Sequence, residues 1–203
     1  MKLKNNLKKI NKLILEDGEV YEGLEIKNCD FGDLSFSEID FKNCVFKNCN
    51  LGNMQIDNLS LFEVRFDDCD LANLHSEEFY AKKVYFEKCR MMGFMVNEGI
   101  ISETRFENTQ LKLSQFRFAK LKNVIFGNCL LSEADFYSAE LFNINFNDCD
   151  LVKAEMSKTK NFKTDLKTSS IAGLKIGIES LDGITIDHSQ VIEFVWLLGV
   201  NIE

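Results

Sequence analysis

Proline is absent from this chain, tryptophan occurs once and histidine twice. Without proline, Pro-rich linkers and collagen-like segments are excluded. The two histidines, His75 and His188, leave little for imidazole chemistry, and neither forms a plausible dyad with a Cys or Ser. No Gly-rich phosphate loop and no metal-ligand spacing occurs. No apolar run reaches the roughly 18 residues of a membrane-spanning helix. The lysine-rich N-terminus is not followed by an uninterrupted apolar stretch, so no secretory leader is expected and a cytoplasmic location follows. Positive charge is in deficit: 24 Lys and Arg against 32 Asp and Glu give a net charge of −8. Such a chain is poorly suited to gripping nucleic acid through its phosphates. No catalytic residue, cofactor or metal is expected, and no direct contact with nucleic acid or membrane. What is present is apolar material: 45% of 203 residues, 18 of them Phe, enough for a sizeable core.

The seven cysteines are Cys29, Cys44, Cys49, Cys69, Cys89, Cys129 and Cys149. All fall on one phase of a five-residue beat. All but Cys44 also share one phase of a twenty-residue beat, whose remaining places hold Thr109, Ser169 and Ser189. Small residues at a fixed period form a packing column, whereas thiolate ligands come in close pairs such as C-x-x-C, and none is present.

Every fifth residue from Tyr21 to Ile186 is large and apolar at 31 of 34 positions, the exceptions being Ser76, Ala81 and Asn161. Two residues before each sits a second, usually smaller, inward candidate. The apolar spacing therefore runs 2, 3, 2, 3. A helix needs 3 and 4, and a half-buried strand needs 2 throughout. A step of 2 keeps both side chains on one face of an extended segment, and the step of 3 must turn a corner. The twenty-residue period then means four corners per coil. From Ile26 to Thr185 this gives eight coils. FKNC from Phe46, FDDC from Phe66, FGNC from Phe126 and FNDC from Phe146 mark one side.

Units such as Ala134-Asp135-Phe136 and Cys149-Asp150-Leu151 resemble the repeat of the pentapeptide-repeat proteins. The resemblance covers about residues 21–190 and implies an all-β, right-handed quadrilateral β-helix. The stretch Ser180-Leu181-Asp182-Gly183-Ile184-Thr185-Ile186-Asp187, then Gln190 and Leu198-Gly199-Val200, is similar to the end of the Qnr and MfpA branch. That similarity implies a dimer that mimics duplex DNA and binds a type II topoisomerase (DNA gyrase or topoisomerase IV), with quinolone resistance in several members. Qnr proteins interrupt their coils with loops, whereas the phase here never slips.

The expected organisation is an N-terminal cap over residues 1–22, the β-helix over 23–186, and a capping and dimerisation helix with a short strand over 187–203. Leu3, Leu7 and Ile10 have helical spacing among lysines, which fits a short amphipathic helix as well as a frayed tail. Asp17-Gly18 between two apolar stretches reads as a hairpin. Asp187 and Gln190 have capping-box spacing. The following VIEFVWLL has Glu193 as its only polar residue, and a helix apolar all round needs burial on more than one side. One side can cap the last coil. The other, with Val191, Phe194, Val195, Trp196 and Leu198, would meet a second copy. The stretch His75 to Ala81 is expected to form a distorted corner or bulge.

The first 15 residues carry five Lys and no acid, so the remainder carries −13. Eight coils rise roughly 38 Å, over which duplex DNA carries roughly 22 charges. An acidic rod about 20–25 Å wide fits a DNA channel by size and charge. The outward acids Asp67, Asp68, Asp70, Asp135, Asp148 and Asp150 would stand in for phosphates. The alternative is a repeat scaffold that binds another protein, its acidity serving solubility. An enzyme would need a pocket near His75.

Overall fold

An apolar pair every five residues is buried when the chain winds around it. A computed structural model, describing residues 7–195, has this coil. Its strands are β1 (Lys8–Ile10), β2 (Glu19–Glu22), β3 (Leu24–Lys27), β4 (Ser35–Lys42), β5 (Val45–Lys47), β6 (Gln55–Phe62), β7 (Arg65–Asp67) and β8 (His75–Lys82). They continue as β9 (Tyr85–Glu87), β10 (Ile100–Ser102), β11 (Arg105–Glu107), β12 (Lys120–Gly127), β13 (Glu140–Asn147), β14 (Lys160–Asp165) and β15 (Ile184–Thr185), followed by α1 (Val191–Val195). Every pairing is parallel, and from β2 onward each residue lies beside the one twenty places on, as in Phe46 beside Phe66 and Phe106 beside Phe126. The result is a four-sided parallel β-solenoid of about nine turns.

The corners recur every five residues. Twenty-four non-glycine residues, from Asn28 to Lys163, have φ between 48° and 69°, all at one phase of the beat. This left-handed conformation costs most side chains about 1–2 kcal/mol, and Asn and Asp least. Asn accordingly takes nine of the corners. Where Asn stacks on Asn or Asp, the amides form ladders: Asn48 Nδ2 donates to Asn28 Oδ1 at 2.8 Å, and Asn73 Nδ2 to Asn53 Oδ1 at 3.0 Å.

The interior is filled by the large column and the small column. Phe46, Phe66, Phe86, Phe106, Phe126 and Phe146 stack with centroids 4.7 to 5.1 Å apart and rings within 12° of parallel. Phe136 meets Phe126 edge-on at 6.2 Å. All seven cysteines are buried and free. Cys129 Sγ donates to the Gly127 carbonyl at 3.4 Å, and Thr109 and Ser169 make hydroxyl bonds in the same column. Burial pushes the Cys89 thiol up to about 12. Cys69 and Cys129 are raised by the next thiol in the stack and by burial.

The irregular positions keep register. Ser76 sits beside Ile56 and Ala81 beside Leu61 within a continuous β8, so the expected distortion at His75 to Ala81 does not form. The backbone hydrogen bonds of neighbouring coils hold the strand, and Ser76 Oγ satisfies itself on the Glu78 carbonyl at 2.9 Å. An apolar void of about 10 Å³ lies in the interior nearby, bordered by Ile56, Leu61, Phe79 and Phe94. Asn161 is a polar pin instead: its Nδ2 donates to the Ser180 carbonyl at 2.7 Å and its Oδ1 accepts from Thr164 Oγ1 at 3.1 Å.

The first fifteen described residues differ from expectation. Residues 8–10 are not helical: β1 pairs with β3, and Lys8 lies beside Leu24, so the first turn is sixteen residues long. Asp17 and Gly18 do turn the chain, Gly18 at φ 76°, but the hairpin is absent because β2 pairs in parallel with β4. A parallel edge offers the same backbone partners while keeping the inward phase of Leu15 and Tyr21. Asp17 Oδ1 accepts from the Ser37 and Glu38 amides at 2.6 and 3.0 Å, so it closes the open edge of β4.

At the other end the capping box forms. Asp187 Oδ1 accepts from the Ser189 amide at 2.9 Å, and the Asp187 amide donates to Gln190 Oε1 at 2.8 Å. Gln190 is buried and its Nε2 donates to the Leu166 and Ser169 carbonyls, sealing the last coil. Phe194 packs onto the core, while Val191 and Ile192 are about half exposed. Trp196 and Leu198 lie outside the described residues.

Candidate partner-binding surface

Because inward positions are fixed by the beat, every charged side chain projects from a flat side or a corner. The six acids singled out from the sequence all do so, but on different sides and in different states. Asp67 lies 2.6 Å from Arg65 Nε, Asp70 pairs with Arg90, and Asp135 lies 2.8 Å from Arg117 Nη1. Asp150 Oδ1 caps the Val152 amide at 3.0 Å. Asp68 and Asp148 are corner residues, exposed and outside any ion pair among the described residues. Arg65 also lies over the Tyr85 ring, whose hydroxyl donates to Glu87 at 2.6 Å. Burial and that carboxylate push Tyr85 up to about 12. This side is therefore a cross-linked lattice of both signs.

A second group of acids was missed. Glu38, Asp57, Glu77, Glu78 and Glu98 are all exposed, and none makes an ion pair among the described residues. They line one edge of the N-terminal half. Glu38, Asn58 and Glu78 stack directly, with Glu98 one coil further on. Glu77, Glu78 and Glu98 wall a shallow groove whose lining includes Tyr80 and Ile100. Dividing the chain by length exposes the signal. Residues 16–103 contain 19 acids and eight bases, net −11, while residues 104–195 contain 12 and 11, net −1. The acidity is thus not spread along the rod.

In the C-terminal half the same edge is cationic and aromatic. Arg117 lies 4.7 Å from the Tyr137 ring centroid and Lys158 5.3 Å, while Lys122 lies 5.4 Å from that of Phe142. Phe142 and Phe162 stack at 5.9 Å and are both about half exposed. No group of three or more His, Cys, Asp or Glu among the described residues could hold a metal ion. No described helix is long and apolar enough to cross a membrane.

No curated protein matches this chain. Among solved structures, QnrB1, a plasmid-mediated fluoroquinolone resistance protein, is 23% identical, each chain covered to 96%, with a TM-score of 0.40. HetL, a pentapeptide repeat protein involved in heterocyst differentiation regulation from the cyanobacterium Nostoc, is 13% identical over 81% of this chain and 86% of its own, with a TM-score of 0.41. Rfr23 of the cyanobacterium Cyanothece is 15% identical over 83% and 88%, with a TM-score of 0.18. The family description "pentapeptide repeat region" matches residues 59–136 and 79–156. Residues 59–156 are therefore a pentapeptide repeat region, and the same corner phase continues beyond both its ends, from Asn28 to Lys163, with Glu38, Asn58 and Glu78 the positions without a positive φ.

Proposed function

We propose that this chain is a non-enzymatic mimic of duplex DNA that occupies the basic channel of a type II topoisomerase, DNA gyrase or topoisomerase IV. The observation that carries the reading is the charge of the N-terminal half. Residues 16–103 carry −11 over a little over four coils. Such a length is about 21 Å, along which duplex DNA carries roughly 12 charges. That half therefore approaches the linear charge density of DNA, on a rigid rod of similar width. Asp67, Asp68 and the edge from Glu38 to Glu98 form its centre, while Asp70, Asp135, Asp148 and Asp150 extend it. The protein acts in the cytoplasm as a homodimer, joined through Val191, Phe194, Val195, Trp196 and Leu198.

A supercoiling assay with purified gyrase tests this, with and without ciprofloxacin. Rising protein at low salt is expected to alter supercoiling or drug-stabilised cleavage, and the effect fades as salt screens the exposed surfaces. No change in either at micromolar protein and low salt overturns the reading.

The second reading is a repeat scaffold for another protein. It is favoured by the ion pairs that engage Asp67, Asp70 and Asp135, which make those sides mixed in sign rather than phosphate-like.

A further inference from the structure

One edge of the solenoid changes sign along its length. On its N-terminal half stand Glu38, Asp57, Glu77, Glu78 and Glu98, exposed and outside any ion pair among the described residues. Lys42, Lys82 and Lys83, the cations of that half of the edge, are engaged by Asp40, Glu103 and Glu63. On the C-terminal half the columns continue as Lys120, Lys122, Lys158 and Lys163, all exposed and outside any ion pair among the described residues. Arg117 and Lys158 flank the Tyr137 ring there.

Between the halves lies exposed apolar surface. Tyr80 and Ile100 stack in one column, 40% and 48% exposed, and Lys120 follows directly. Phe118 is 48% exposed and holds φ 58°, a conformation costly for a Phe. Neither burial nor backbone comfort accounts for a phenylalanine at this corner. An acidic groove with Tyr80 and Ile100 in it suits a cation set against an aromatic ring. The same edge of the same chain presents that combination two to four coils further on.

We infer that this edge is a self-complementary interface, on which a second copy of the chain lies antiparallel. A two-fold axis across the rods near Ile100 and Phe118 brings each acidic groove opposite the partner's Arg117–Tyr137–Lys158 ridge, twice over. The apolar residues fall at the centre and the charges around them, the usual anatomy of a specific interface. A parallel arrangement sets acid against acid and is repelled. The edge is about 34 Å long and roughly 15 Å wide, or about 1,000 Å² from both copies, which is the lower limit of specific interfaces. The contact is accordingly weak and salt-sensitive. It is separate from the α1 interface and goes beyond topoisomerase binding. It does share Glu77, Glu78 and Glu98 with that reading, so one partner displaces the other.

The test is a charge swap on the full-length protein, read by sedimentation equilibrium. One variant carries Glu78→Lys with Glu98→Lys, the other Lys120→Glu with Lys158→Glu. The wild type is expected to double in mass with concentration at low salt, and to lose that step at about 1 M salt, where the Debye length is ~3 Å. Each variant alone should lose at least about tenfold in association constant, the equivalent of roughly 1.4 kcal/mol. An equimolar mixture of the two should regain it, because the reversed acids of one variant then face the reversed cations of the other, and its unchanged cations face the other's unchanged acids. Circular dichroism of each variant checks that the solenoid is intact. A dimer through α1 is untouched by these substitutions and sets the baseline mass. A wild-type mass that ignores salt and concentration overturns the inference, as does failure of the mixture to reassociate. No topoisomerase is present, so this result and the supercoiling assay fail separately.

Discussion

Each residue in this chain meets one of two demands, and the five-residue beat decides which. At inward phases the demand is volume. Phe126 is fully buried and stacks on Phe106 and Phe146 at 4.9 Å each, with coils on both sides that cannot collapse onto a hole. Phe126→Ala should cost about 3–5 kcal/mol in a urea titration, whereas a change at exposed Lys122 should stay under about 0.5 kcal/mol. At corner phases the demand is a positive φ. Leu113 is exposed and held at φ 59°. Leu113→Asn should therefore raise stability by about 0.5–1 kcal/mol, visible as a later urea midpoint. The cysteines obey the first demand and should resist native-state thiol labelling, reacting only with denaturant. These roles were legible in the sequence because the beat assigns them without any three-dimensional information. Ser76 and Ala81 were misread as a distortion. The sequence shows that volume is missing there, but not that the five other residue pairs between β6 and β8 hold the backbone in register.

Among the elements, the ends carry the specific chemistry. Gln190 is the plug of the last coil, with two carbonyls on its Nε2 and the Asp187 amide on its Oε1. Gln190→Ala leaves buried carbonyls unsatisfied and should cost about 1–3 kcal/mol by thermal or urea unfolding. Asp17 and Asp187 close opposite ends. Backbone amides hold both carboxyls below the ordinary aspartate value of 3.8: Glu38 and Ser37 for Asp17, Ser189 for Asp187. A depressed folded value means stabilisation that is present above the unfolded pKa and lost as pH falls through the folded one. Both ends should therefore loosen below about pH 4, ahead of the middle coils, as hydrogen exchange at Ser37, Glu38 and Ser189 would report. The C-terminal cap was readable because a capping box is a local signal. The N-terminal strands were not. Asp17-Gly18 signals a turn, and only the register of β2 on β4, a contact across twenty residues, distinguishes a coil from a hairpin.

At the scale of the whole molecule the fold is a consequence of the period, and the surface is not. The period places every side chain inward or outward, yet it says nothing about which outward charges neutralise one another. Asp67, Asp70 and Asp135 read as free acids in the sequence and are paired, because Arg65 lies two residues away and Arg90 and Arg117 lie on the neighbouring coil. The bare acids Glu77, Glu78 and Glu98 emerge only when columns are followed up the solenoid. The central claim is that the N-terminal half of this rod competes with duplex DNA for a type II topoisomerase. Its most direct measurement is displacement of a labelled duplex from gyrase at low salt by the wild type and by two reversed variants, Glu77→Lys with Glu78→Lys and Asp148→Lys with Asp150→Lys. The account predicts displacement by the wild type, a clear loss with the first pair and a smaller loss with the second. Equal displacement by all three, or none by the wild type, would contradict it.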